Sequence, residues 1–160
     1  MSDIMTNYLQ ILDDSLNKKL TILEELTTLT MEQKKLSEAE KFDDEAFNDT
    51  VHKKSSLIEE LEKLDEGFQT LYDRVKEQLT GNKERYSTEI GEFKKKIARI
   101  LDLSTGLEAM ERRNRTQGEK RFREAKQEVR QVKKTRQTAA NYYRTMNKIS
   151  EEPYFLDTKK

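Results

Sequence analysis

The stretch EAFNDTVHKKSSLIEELEKLDEGFQTLYDRVKEQL, residues 45–79, decides the fold. Phe47, Val51, Leu57, Ile58, Leu61, Leu64, Phe68, Leu71, Tyr72, Val75 and Leu79 recur at spacings of three and four. That near-heptad row is the seam of coiled-coil-like helix packing. Asp43 or Asp44 can cap the helix, and Phe42 is placed to staple back onto it. Thr80-Gly81-Asn82 ends it, with Gly81 expected in the left-handed conformation that closes helices. The helix is predicted over 43–79 and, at about 1.5 Å per residue, spans roughly 54 Å.

Upstream, a helix is predicted over 6–38. Its stripe is Tyr8, Leu9, Leu12, Leu16, Leu20, Leu23, Leu26 and Leu29, and Lys34 and Lys35 suit its C-terminal end. Downstream, Tyr86, Ile90, Phe93, Ile97, Ile100, Leu101, Leu103, Leu107 and Met110 begin a third helix near Lys83. The stripe then fades: between Glu111 and Gln137 the large apolar residues are Phe122, Val129 and Val132. Helix propensity stays good there, so the third helix is predicted over 83–145, ending as a thin basic arm. Gly106 and Gly118 flank the change, as hinge points or frayed sites. Short linkers imply antiparallel neighbours. The expected fold is all-α: one domain over residues 1–160, a long three-helix up-down-up arrangement with a C-terminal arm and a tail over 146–160.

Composition agrees. Charged residues are 39% of the chain and hydrophobic ones 33%, with a single Pro, which suits long helices that each bury one stripe. The net charge of zero hides an asymmetry. Residues 112–144 hold 12 Lys/Arg against 3 Asp/Glu, and residues 1–111 hold 16 against 25. An acidic body thus carries a basic arm. There is no Cys, no apolar run approaching the ~20 residues of a membrane span, and no basic-then-apolar signal pattern. A cytoplasmic protein without membrane insertion is expected.

Convergent catalytic groups are lacking. His52 is the single histidine. Asp49-x-x-His52 is half of a di-iron ligand pair and has no second half, so His52 reads as a solvated helix residue. No catalytic residue, metal site or cofactor is expected. The basic run could neutralise phosphates. Phe122 is its lone aromatic, however, and Glu119, Glu124 and Glu128 interrupt it. A solvated face or protein-docking arm is the stronger reading and nucleic acid the weaker. Phe122, Ala125, Val129 and Val132 share one helical face, which either receives a partner helix or rests on the protein's own first helix. The end NYYRTMNKISEEPYFLDTKK gathers Tyr142, Tyr143, Met146, Tyr154, Phe155 and Leu156 around Pro153. These residues form either an anchor or a short docking element.

Phe47, Lys53-Lys54, Leu57-Ile58-Glu59, Leu61, Leu64-Asp65, Gly67-Phe68 and Leu71-Tyr72 resemble the second helix of the FlgN-type flagellar export chaperones, in their Gram-positive version. Ala140-Asn141-Tyr142-Tyr143 and Tyr154-Phe155-Leu156-Asp157 are similar to that family's ending. The resemblance implies a cytosolic type III secretion chaperone. Such a protein holds the C-terminal helical region of hook–filament junction proteins, keeps them from aggregating and delivers them to the export gate. It places client binding on the later part of the chain, here Leu107, Met110, Phe122, Ala125, Val129 and Val132. It places gate docking on a C-terminal tyrosine, with Tyr142, Tyr143, Tyr154 and neighbouring Phe155 as candidates. The alternatives are a coiled-coil adaptor that forms homo-oligomers and, less favoured, a nucleic-acid-binding helical protein.

Overall fold

Among the described residues there are four helices: α1 Ser2–Glu38, α2 Asp44–Gly81, α3 Ser87–Arg115 and α4 Ala125–Ser150. The computed structural model describes residues 2–115 and 125–150, with side-chain surroundings for 4–115 and 130–149. Among the described residues there is no strand.

The start of α2 follows its sequence. The Asp43 carboxylate accepts a 3.0 Å hydrogen bond from the Ala46 N–H, so one orphan donor of the first turn is satisfied. Phe42 and Phe47 bracket this cap with ring centroids 5.4 Å apart, the hydrophobic staple. The end of α2 differs from expectation. No described residue has positive φ, so Gly81 does not adopt the left-handed form. Asn82 closes the helix instead. Its side-chain amide donates to Gln78 O at 2.9 Å, and its N–H donates to Leu79 O at 3.3 Å. A polar side chain that reaches the last carbonyls removes the need for a glycine turn.

Named contacts fix the topology. Lys19 meets Asp65 and Lys54 meets Gln33, so α1 and α2 are antiparallel. Lys96 meets Asp13 and Thr30 meets Glu111, so α1 and α3 run the same way. Gln131 and Thr135 meet Asp65 while Tyr142 meets Gln69, so α2 and α4 run the same way. It follows that α3 and α4 are antiparallel. The main contacts are α1 with α2, α1 with α3, α2 with α4 and α3 with α4. The described helices form a four-helix bundle made of two hairpins, with like-directed helices side by side.

The expected single helix over 83–145 is therefore two helices. The reason is the stripe Val132, Ala139, Tyr142, Met146 and Ile149, all buried. With Thr135 it repeats every three or four residues along α4, and burying it requires α4 to lie back on α2 and α3. Gly106 lies inside α3, with no break in the helix around it. Gly118 falls outside the described residues.

The inward face of α1 also differs from the expected stripe. Met5, Leu9, Leu12, Leu16, Lys19, Ile22, Leu23, Leu26, Thr30 and Gln33 are the buried residues, while Tyr8, Leu20 and Leu29 of the expected stripe are half-buried. Both rows have helical spacing. The one that wins keeps step with α2 and α3 and takes polar residues into the core.

Candidate functional site

The apolar core does not run the whole length of the bundle. It is interrupted at three levels by polar groups, and those groups carry the contacts that hold α4 and close one end.

At the first level Asp65 of α2 gathers two other helices. The Lys19 ammonium of α1 lies 3.0 Å from Asp65 Oδ1. Thr135 of α4 donates to Oδ2 at 2.8 Å, and Gln131 donates there at 3.4 Å. Lys19 also sits over the Phe68 ring, 4.2 Å from its centroid, a cation–π contact made strong by exclusion of water. Burial holds the Lys19 pKa below its usual value, and Asp65 opposes that shift. Beside this level, Tyr142 of α4 donates its hydroxyl to Gln69. Its ring packs 4.9 Å from Phe68 and edge-on to Tyr72 at 5.1 Å.

At the second level Arg136 of α4 donates to the buried Glu108 of α3. The third level closes the end of the bundle where α3 stops. Lys54, only 1% exposed, donates to Gln33 at 2.9 Å and pairs with Glu111. Thr30 Oγ1 lies 3.1 Å from Glu111 Oε1, and Asn114 donates to Thr30 O at 3.3 Å. A buried charge pair survives only where such extra hydrogen bonds surround it.

The sequence-predicted site residues fall among these levels. Leu107 and Val132 are buried in the core, and Met110 is half-buried. Ala125 and Val129 belong to α4, with their side chains outside the described residues. Phe122 also lies outside them. The stripe that carries Val132 is covered by α2 and α3 rather than by α1. Of the tyrosine candidates, Tyr142 is a core residue and Tyr143 is half-buried against the core. Tyr154 and Phe155 lie outside the described residues. His52 is exposed on α2.

Lys19, Lys54, Asp65, Glu111 and Thr135 escaped the sequence reading. Their signal was present: each occupies a position in step with buried apolar neighbours, as Lys54 does between Phe47 and Leu61. Long polar side chains at such positions ordinarily point outward.

Charge is divided by hairpin. Residues 1–81 hold 10 Lys/Arg and 19 Asp/Glu, and residues 82–150 hold 19 and 9. On α4, Arg130, Lys133, Lys134, Arg144 and Lys148 are all exposed, and no Asp or Glu occurs from 130 to 150. Among the described residues no group of His, Cys, Asp and Glu is arranged to hold a metal ion. No described helix is long and apolar enough to cross a membrane. No family profile, curated protein or solved structure matches the chain.

Proposed function

We propose that the chain is a FlgN-type flagellar export chaperone, a cytoplasmic, non-enzymatic holder of the C-terminal helical region of hook–filament junction proteins. The observation that carries this reading is the seating of α4. Its apolar stripe fills a groove between α2 and α3, but its flanks are held by Asp65, Gln69 and Glu108 through polar contacts. Those groups regain water when α4 leaves, so the seam opens at lower cost than an all-apolar one. A client helix of matching periodicity takes the vacated groove or pairs with the exposed stripe. Competition from α4 lowers the client's apparent affinity by the fraction of open protein, which keeps the grip reversible.

The same movement uncovers Tyr142. On this reading gate docking by Tyr142 follows client loading, and Tyr143, Tyr154 and Phe155 are the alternative candidates for that docking.

The test is co-purification with hook–filament junction proteins. Val132→Ser and Met146→Ser are expected to change it severalfold, downward where the client pairs with the α4 stripe and upward where it takes the vacated groove, and deletion of 151–160 is expected to spare it while impairing secretion. Unchanged co-purification by folded Val132 and Met146 variants would overturn the reading.

The basic face of α4 favours one second reading, an anionic partner such as nucleic acid. Counterion release then predicts a gel shift that falls steeply with salt. The adaptor alternative has less support. Phe47, Leu61, Phe68, Tyr72, Val75 and Leu79 of α2 are buried inside the chain's own bundle and are not left for a second chain.

A further inference from the structure

The outward side of the α1–α2 hairpin carries apolar groups that the bundle does not cover. Ile4 and Ile11 of α1 are 54% and 55% exposed. They are seven residues apart, and Leu29 follows Ile11 by about five helical turns, so the three lie along one line of α1. On α2, Leu57, Leu64 and Leu71 are spaced by heptads and are half-buried. Leu29 and Leu57 line the same groove, about 640 Å³ in volume. The register set by Lys19 and Asp65 brings Ile11 level with the stretch around Leu71. Two lines of apolar groups therefore border one seam, the α1 line being interrupted between Ile11 and Leu29 by the exposed Lys18 and Glu25.

The geometry points to this seam as a docking groove for an amphipathic partner helix with basic flanks. Its charge names the occupant. Glu24 and Glu25 line the groove beside Lys53, Glu60 is exposed one turn from Leu57, and the hairpin as a whole is strongly acidic. Lys or Arg beside a partner's apolar stripe complements that field, and Asp or Glu there is repelled. The chain's own basic helix is not the occupant, since the α4 stripe is buried against α2 and α3. The inference rests on the chaperone reading only for the partner's being a client. The groove and its charge stand without it.

Two synthetic amphipathic peptides test it, each about 28 residues or roughly 42 Å as a helix, long enough to reach from Ile4 to Leu29. They share leucine a and d positions, one carrying Lys/Arg flanks and the other Glu flanks. Each is titrated into the full chain and followed by methyl NMR. The basic peptide is expected to shift the Ile4, Ile11, Leu29 and Leu57 methyls and to bind at least about tenfold tighter, a gap that narrows as salt screens the flanks. The double variant Ile4→Ser, Ile11→Ser changes exposed positions, so its thermal melt should stay near that of the parent. It should weaken the basic peptide by roughly tenfold. Equal affinity for the two peptides overturns the proposal. So do shifts confined to α3 and α4, an unaffected Ile variant, or groove shifts that appear with protein concentration alone and so reveal a second copy as the occupant. Client co-purification is scored separately. Its failure beside successful basic-peptide binding removes the chaperone reading and leaves the groove.

Discussion

Lys19 and Asp65 form a 3.0 Å ion pair inside the bundle, 4% and 13% exposed at the side chain. Asp65 also accepts from α4, so one carboxylate ties three helices together. Asp65→Ala leaves a buried ammonium without its counter-charge, and such losses cost about 3–5 kcal/mol. The expected result is a large fall in the urea midpoint that added salt does not reproduce in the parent protein. If α4 is the helix released, its amides lose hydrogen-exchange protection before those of α1.

Lys54 and Glu111 give the complementary case. Glu111→Ala alone should destabilise by about 3–5 kcal/mol for the same reason. Replacing both ends, Lys54→Met with Glu111→Leu, removes the desolvation cost together with the attraction. The double variant should be neutral or more stable by up to roughly 4 kcal/mol. Chemical denaturation of the single and double variants checks both signs.

Tyr72 and Tyr142 share one aromatic cluster but differ in hydrogen bonding. The Tyr72 hydroxyl is buried and has no hydrogen-bond partner among the described residues, whereas that of Tyr142 donates to Gln69. Tyr72→Phe should therefore stabilise by about 1 kcal/mol and Tyr142→Phe should destabilise by about 1 kcal/mol.

The same tyrosines set the alkaline limit. Burial first, then Asp73, pushes the Tyr72 pKa up to about 12. Tyr142 is raised by burial, and after it by Asp65, Asp73 and Tyr72. Both keep their protons in the fold where an unfolded chain, with tyrosine pKa ~10, has lost them. Their contribution is complete below that value; that of Tyr72 disappears as pH rises through about 12, and that of Tyr142 is lost in the same direction. Lys19 runs the other way. Its lowered pKa makes stability rise with pH up to its ordinary value of 10.5. Tyrosinate absorbance and helicity should thus change together above pH ~10, and Tyr72→Phe should shrink the slope.

Gly106 and Gly67 lie within helices, and a Cβ at either meets nothing within 4 Å. Alanine at each should stabilise by up to about 1 kcal/mol, read from thermal melts.

Much of this architecture was legible in the chain. The Asp43 cap, the Phe42–Phe47 staple and the buried row on α2 follow from local rules that need no partner. The return of α4 was harder to read. Its stripe alternates Val132 and Met146 with Thr135 and Ala139, and small or hydroxylated residues register weakly as core until a facing helix is known. The α1 stripe was legible at Leu9, Leu12, Leu16, Leu23 and Leu26 and missed its polar members for a related reason. Leu20 and Leu29 looked inward by type, but Lys19 and Thr30 reach Asp65 and Glu111, and those partners are distant in sequence. Of the site, Leu107 and Val132 were found as members of an apolar face, while the carboxylates that hold that face down were not.

The split of charge between the hairpins has a consequence for handling the protein. A chain of net charge zero is expected to ignore ion-exchange resins near neutral pH. This one presents an acidic side built from α1 and α2 and a basic side built from α3 and α4. It should therefore be retained by both anion and cation exchangers at low salt, a dipole rather than a neutral body, and be released from both as ionic strength rises.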